Sequence, residues 1–254
     1  VNQAGVYSAV VTTTNGCSDT TATYTTTVFA DADTSVTVSG PLDFCSYDDV
    51  TLTAAAGQSY AWNTGDTSQA ITSTMAGTYS VIVTTSDGCT DTTVDYNTTI
   101  FADADTSVVV TQTLFCASDS AILIAAPGQS YLWNNGDTTQ ASIVNSTGDY
   151  FVTATTTNGC AGSSDTTSIT VVPDVIVPQI VSNGLGWVGT GSSTSLTITT
   201  DSTQTYQWNV DGGVISSGQG TDSLVVTWGI PDTSVTVWLV ITNGVCTDST
   251  SIEF

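Results

Sequence analysis

The octapeptide Phe29-Ala30-Asp31-Ala32-Asp33-Thr34-Ser35-Val36 returns letter for letter as Phe101-Ala102-Asp103-Ala104-Asp105-Thr106-Ser107-Val108. A copy this faithful marks a tandem array of one supersecondary unit. The step from Phe29 to Phe101 sets the period at 72 residues, so the fold must close a core within a span of that size. Cys17 recurs as Cys89 and Cys160, Cys45 as Cys116, and Gly57-Gln58-Ser59-Tyr60-Ala61-Trp62 as Gly128-Gln129-Ser130-Tyr131-Leu132-Trp133. We divide the chain into residues 1–28, the C-terminal half of one repeat; 29–100 and 101–172, two complete repeats; and 173–254, a diverged module. Half a sheet cannot bury its own face, so the array is expected to continue upstream. The chain has no initiating Met, no signal peptide and no membrane-length apolar run, and we read it as a fragment of something longer or a processed product.

Within a repeat, strand signals and turn residues alternate at the spacing of an all-β sandwich. The expected strands of the first full repeat are A at Thr34 to Ser39, B at Val50 to Ala54, C at Ser59 to Trp62, E at Gln69 to Ser73, F at Tyr79 to Thr85 and G at Thr92 to Phe101. Trp62 takes the central strand C core position, and Tyr79 is placed like the corner tyrosine of such sandwiches. Asp87-Gly88 is a hairpin turn signal. In the last module, Leu196 to Thr200 and Tyr206 to Trp208 restore strands B and C, while Gly212-Gly213 and Gly218-Gln219-Gly220 carry extra turns. Trp62, Trp133 and Trp208 are read as core, Trp228 and Trp238 as strand residues, and Trp187 stays unassigned.

Charge narrows the chemistry. The chain holds 23 acidic residues and no Lys, Arg or His, for a net charge of −23, where about a tenth of an ordinary sequence is basic. Salt bridges from Lys or Arg are excluded, so stability must come from burial, sheet hydrogen bonds and cross-links. Nucleic acid and anionic lipid are poor partners for such a surface, and we expect neither nucleic-acid binding nor membrane insertion. Without His or Lys there is no Ser-His pair, no Schiff-base lysine and no base tuned near neutral pH. An Asp pair of the glycosidase kind is the one remaining catalytic option, and Asp in Thr-rich turns reads more simply as solvated loop. We therefore expect no enzyme here.

The six cysteines lack a Cys-x-x-Cys pair or a His partner, which points to disulfides in an oxidising compartment and away from zinc. Two pairings stay open. Within each repeat, Cys45 would join Cys89 and Cys116 would join Cys160, closing loops worth about 4 kcal/mol each. This leaves Cys246 alone. Alternatively, the A-B and F-G turns lie at opposite ends of a sandwich, so modules stacked end to end would bond Cys45 to Cys160 and Cys116 to Cys246. Cys17 and Cys89 would then pair with cysteines before residue 1. The seam carboxylates Asp31, Asp33, Asp103 and Asp105 alternate as strand residues facing one side, and calcium is the cofactor such a cluster would take. Hydrated linker carboxylates are the plainer reading, and no other cofactor is expected.

The run from Gly57 through Ile71, with Gly77-Thr78-Tyr79-Ser80-Val81-Ile82-Val83 and Asp87-Gly88-Cys89, resembles the Ig-like/PKD-like repeats of large surface proteins of Bacteroidota. The last module, through Tyr206-Gln207-Trp208-Asn209-Val210 and Ser217-Gly218-Gln219-Gly220-Thr221, is similar to the PKD-like variant. The resemblance implies type IX secretion cargo, as in giant gliding adhesins of the SprB type, located outside the cell at its surface. It also implies O-glycosylation at Asp-Ser/Thr sites, here Thr20, Thr92, Ser120, Thr138 and Thr166. The function expected is a non-catalytic, acidic, protease-resistant segment of a long adhesin or filament stalk. Its partners would be neighbouring repeats of the same chain and a surface polysaccharide or protein ligand. The alternative is a set of carbohydrate- or protein-binding modules accessory to a secreted enzyme.

Overall fold

The computed structural model describes residues 3–184, 188–229 and 234–254. Every element among them is a strand. Trp187 lies outside the described residues. Two compact units result: one runs to Asp103 and takes in Asn158–Cys160, and the other holds Ala104–Thr157 with Ala161–Phe254.

The first unit begins with four short strands, β1 (Gly5–Tyr7), β2 (Val10–Thr12), β3 (Ser18–Thr20) and β4 (Tyr24–Thr26). The first full repeat follows with β5 (Val36–Val38), β6 (Asp43–Cys45), β7 (Val50–Ala54), β8 (Ser59–Trp62), β9 (Ala70–Ser73), β10 (Gly77–Tyr79), β11 (Val81–Thr84), β12 (Thr90–Thr92) and β13 (Tyr96–Phe101). One face is the sheet β5-β7-β9; the other is made of β12-β11-β8 and β10-β13-β6. Period-two alternation sends Val50, Leu52 and Ala54 of β7 inward, where they are at most 2% exposed. Leu52 and Ile71 from one face meet Trp62, Tyr79, Val81 and Val83 from the other in one cluster. The Trp62 indole stays buried because its Nε1–H donates to the Ser68 carbonyl at 2.8 Å. The Tyr79 hydroxyl accepts from Ser73 Oγ at 2.8 Å and donates to the Met75 carbonyl at 3.3 Å.

Three expected strands differ in the structure. Strand A shrinks to Val36–Val38, the stretch facing β7. Strand F breaks at Ser80: β10 pairs with β13, whereas β11 pairs with β8 and β12. Strand G breaks between Thr92 and Tyr96, where the buried Thr93 Oγ1 accepts a hydrogen bond from the Val81 N–H at 3.1 Å. One strand was not anticipated. Residues 43–45, read as an A-B turn, form β6, parallel to β13 with Cys45 opposite Phe101.

In the second unit the repeat plan returns as β14 (Val108–Val110), β15 (Leu114–Cys116), β16 (Ala121–Ala125), β17 (Ser130–Trp133), β18 (Ala141–Val144), β19 (Gly148–Tyr150), β20 (Val152–Thr155), β21 (Ala161–Ser163) and β22 (Thr167–Val172). Trp133, 1% exposed, donates its Nε1–H to the Thr139 carbonyl at 2.9 Å. The last module is β23 (Val181–Ser182), β24 (Ser193–Thr197), β25 (Thr205–Val210), β26 (Gly213–Ser217), β27 (Ser223–Trp228), β28 (Thr236–Thr242) and β29 (Thr247–Glu253). Its sheets are β23-β24-β27-β26 and β25-β28-β29. Strand B ends at Thr197, short of the expected Thr200. The extra turns bracket an added strand, β26. Gln219 then does for Trp208 what a backbone segment does in the repeats: Oε1 accepts the Trp208 N–H at 2.8 Å, and Nε2 donates to the Trp208 carbonyl at 2.9 Å.

Candidate functional site

The residues that carry consequence lie at the exits of the repeats. In the first full repeat, β6 and β13 run side by side to the point where the chain leaves, so Cys45 stands at that exit. The other cysteine of the repeat, Cys89, sits in the β11-β12 hairpin, just after Gly88 at φ 84°. From there β12 and β13 travel away from the hairpin, roughly 30 Å at 3.3 Å per residue. A disulfide needs Cα atoms within about 7 Å. The within-repeat bonds Cys45–Cys89 and Cys116–Cys160 are therefore not made.

The bonds formed are Cys45–Cys160, S–S 2.08 Å and Cα–Cα 5.5 Å, and Cys116–Cys246, S–S 2.19 Å and Cα–Cα 5.6 Å. In each, the β6-type cysteine of one module joins the hairpin-tip cysteine of the next. Cys160 is fully buried and Cys246 is 3% exposed. Cys17 and Cys89 are unbonded, the first exposed and the second half-buried.

The second unit shows what surrounds such a bond. Cys116 lies opposite Val172 in the parallel pair β15-β22, so the chain departs beside the disulfide. Val175 and Ile180 then enter the core of the last module, with Val172 and Cys116 packed against it. The β28-β29 tip is shaped by Asn243, whose Oδ1 accepts the Cys246 N–H at 2.8 Å. Its Nδ2 donates to the Pro173 carbonyl at 2.9 Å. Beside the disulfide is a groove of about 350 Å³ lined by Ser118, Asp119, Asp174, Val175, Thr247 and Asp248.

Three of the four seam aspartates, Asp33, Asp103 and Asp105, accept hydrogen bonds. Asp33 Oδ1 accepts the Ser35 N–H at 2.9 Å, and Asp105 Oδ1 accepts the Ser107 N–H at 2.9 Å. These backbone donors, then the serine hydroxyls, hold both carboxyls below the ordinary carboxylate value. Asp103 accepts a hydrogen bond from Ser46 Oγ. Asp174 has the equivalent role in the next repeat, accepting from Ser118 N–H at 3.1 Å and Oγ at 3.0 Å. The sequence reading missed Asp174 because the octapeptide is lost after Pro173; its position a full repeat after Asp103 was the available signal. The seam aspartates are not gathered into one ligand set. Among the described residues, the one group of three or more candidate ligand side chains is Cys116, Asp174 and Cys246, and its two sulfurs are bonded to each other.

Asp66 and Asp201 are also lowered, Asp66 chiefly by the Ser68 hydroxyl and Asp201 chiefly by the Thr203 N–H. A general acid needs the opposite shift. The five candidate glycosylation positions Thr20, Thr92, Ser120, Thr138 and Thr166 are all exposed.

No protein-family model matches the chain, and no curated protein matches it. Solved structures to which the chain is similar include murine CEACAM1b, 14% identical over 58% of this chain and 98% of that one, with a TM-score of 0.32. Extracellular domains 3–5 of Drosophila OTK are 13% identical over 83% of this chain and 92% of that one, TM-score 0.34. Fibronectin(III)-like modules of Clostridium thermocellum CbhA are 15% identical over 58% and 92%, TM-score 0.33. No residue role is carried over from them.

Proposed function

We propose that this chain is a non-catalytic stalk segment of a long extracellular surface protein, in which each β-sandwich is covalently stapled to the next. The observation that carries the reading is the pair of disulfides between successive modules. A bond inside a module would serve that module alone, whereas these resist separation of neighbours along the chain. Disulfides of this kind belong to an oxidising compartment. The absence of Lys and Arg removes every trypsin-type cleavage point, which suits a permanently exposed stalk. The resemblance to Bacteroidota repeats extends the proposal to type IX export and to a role in surface attachment or gliding, with polysaccharide or protein ligands bound elsewhere on the full protein. The exposed Asp-Thr and Asp-Ser positions would carry its O-glycans.

The test replaces residues 29–172 in the source cell by a flexible Gly/Ser linker of equal length. Export should persist while attachment or gliding falls. Unchanged attachment overturns the proposal, and loss of a secreted enzymatic activity in its place would assign the modules to an enzyme's accessory region.

A further inference from the structure

The strands β1 to β4 keep the internal bonds of a module's back half. Gly5 pairs with Thr26 as Gly77 does with Thr98, and Val10 with Thr20 as Ile82 does with Thr92. The Ala9 N–H donates to Thr21 Oγ1 at 2.9 Å, as Val81 does to Thr93. The Tyr7 hydroxyl donates to the Gln3 carbonyl at 3.0 Å, as Tyr79 does to Met75. Among the described residues each of these pairs stands as a two-stranded sheet. In the full repeat the second edge of β11 carries β8 and that of β13 carries β6, but β2 and β4 have no such neighbour among the described residues. The face is open as well: Tyr7 is 38% and Val11 59% exposed, where Tyr79 is 9% and Val83 0%.

The thiols give an independent deficit. Both bonds join a tip cysteine to the β6-type cysteine of the module before it. Cys89 is the tip cysteine of the first full repeat and is unbonded. By the same rule its partner belongs to the front half of the module whose back half is β1 to β4. The bare face and the unbonded thiol lack the same segment.

We propose that β1 to β4 are a docking surface for the front half of one further repeat, whose β6-type cysteine bonds Cys89. One strand of it pairs with β2 as β8 does with β11, and another runs parallel to β4 as β6 does to β13, bringing an indole over Tyr7 and Val11. The two thiols lose two protons and two electrons to a disulfide oxidant such as oxidised glutathione, which leaves as two thiols. A second copy is disfavoured because both front halves of this chain already close over their own back halves. Cys45 and Cys116 are bonded too, so a copy would have to open a module and break a disulfide to donate. The inference rests on strand register and thiols; its failure would leave the stalk reading standing, and the converse holds.

The test compares the 254-residue chain with an extended chain carrying a second copy of residues 29–72 directly before Val1, both oxidised with glutathione. Iodoacetamide and glutathione adducts should mark Cys17 and Cys89 in the shorter chain and Cys17 alone in the extended one, with a peptide linking Cys89 to the added cysteine. Amide exchange around Val11 should slow by on the order of 100-fold, and should stay slow in the extended Cys89→Ser chain, which separates docking from the bond. Adducts on Cys89 of the extended chain overturn the proposal, as does exchange at residues 5–12 no slower than in the shorter chain. A stable dimer of the 254-residue chain also overturns it, by giving the face to a second copy.

Discussion

Reducing the Cys116–Cys246 bond should destabilise the last module about as much as deleting one of its buried indoles, Trp208 or Trp228. Cross-linking stabilises chiefly by restricting the unfolded chain, as the logarithm of the loop closed. Over the full separation of 130 residues the loop term is about 5 kcal/mol. If the last module unfolds while its neighbour stays folded, the relevant loop starts where the chain departs. Val172 lies opposite Cys116 and 74 positions before Cys246, and a loop of that size is worth about 4.5 kcal/mol. The two routes differ by only about 0.5 kcal/mol because the dependence is logarithmic. For a domain of this size each kcal/mol moves the melting point by roughly 4–8 °C, so the last transition should fall by at least about 15 °C. The assay is calorimetry of the oxidised chain, of the chain in reductant, and of a Cys116→Ala/Cys246→Ala variant, with thiols counted in each. A Cys17→Ser/Cys89→Ser variant is the control and should melt within about 0.5 kcal/mol of the parent. Full reduction with a fall of under about 5 °C would refute the reasoning, since the bond would then be closing a loop that other contacts already hold.

Trp133→Ala should cost about 3–5 kcal/mol in urea unfolding of the second unit, since the indole is fully buried, and Trp133→Phe about 1–2 kcal/mol for the stranded Thr139 carbonyl. Gly218→Ala should be several-fold more damaging than Gly65→Ala: both sit at positive φ, a cost of about 1–2 kcal/mol, but a Cβ at Gly218 would lie 1.9 Å from the Ser223 carbonyl oxygen while Gly65 faces open space. Asp33, Asp66, Asp105 and Asp201 have folded-state pKa values below the ordinary 3.8, so their contribution is complete above 3.8 and is lost as pH falls through the lower folded values. The melting point should thus hold steady from neutral pH down to that value, and a decline setting in well above it would contradict the assignment. Millimolar calcium should shift the melting point no more in the parent than in Asp33→Asn/Asp105→Asn, because those carboxylates already serve Ser35 and Ser107.

The period, strands B and C, the buried Trp62 and Trp133 and the corner tyrosines were legible because each rests on a strong local signal: an exact repeat, period-two alternation, a glycine before the strand. What was not legible is β6. Asp43-Phe44-Cys45 is too short to show a period, and a parallel neighbour far along the chain, Thr99 to Phe101, gives it its state. That one strand places Cys45 at the exit of its repeat, so the disulfide pairing could not be decided from residue spacing alone. Alternation puts the seam aspartates on one face, the arrangement from which a calcium site is weighed against hydrated linker carboxylates. Alternation does not reveal that Ser35, Ser107 and Ser46 are within reach to hydrogen-bond them.

A chain with 23 carboxylates and no cation must solve by other means the problem that salt bridges solve elsewhere. Ser and Thr hydroxyls and backbone N–H groups take the place of Lys and Arg as donors to Asp, within turns at Asp33, Asp66, Asp105 and Asp201 and across the chain from Ser46 to Asp103 and Ser118 to Asp174. Carboxylates that remain free repel. Two of them 10 Å apart in water oppose each other by about 0.4 kcal/mol before screening, and at physiological salt the interaction dies away over about 8 Å. Repulsion therefore acts locally, between carboxylates close together in the chain, and several such pairs sum to about 1–2 kcal/mol. One loop-closing disulfide outweighs that sum at about 4–5 kcal/mol, and salt does not weaken it. Placing the cysteines across successive modules, and not within them, gives neighbours a covalent tie that salt and charge do not weaken. An acidic surface that keeps the array soluble is then compatible with modules that stay joined.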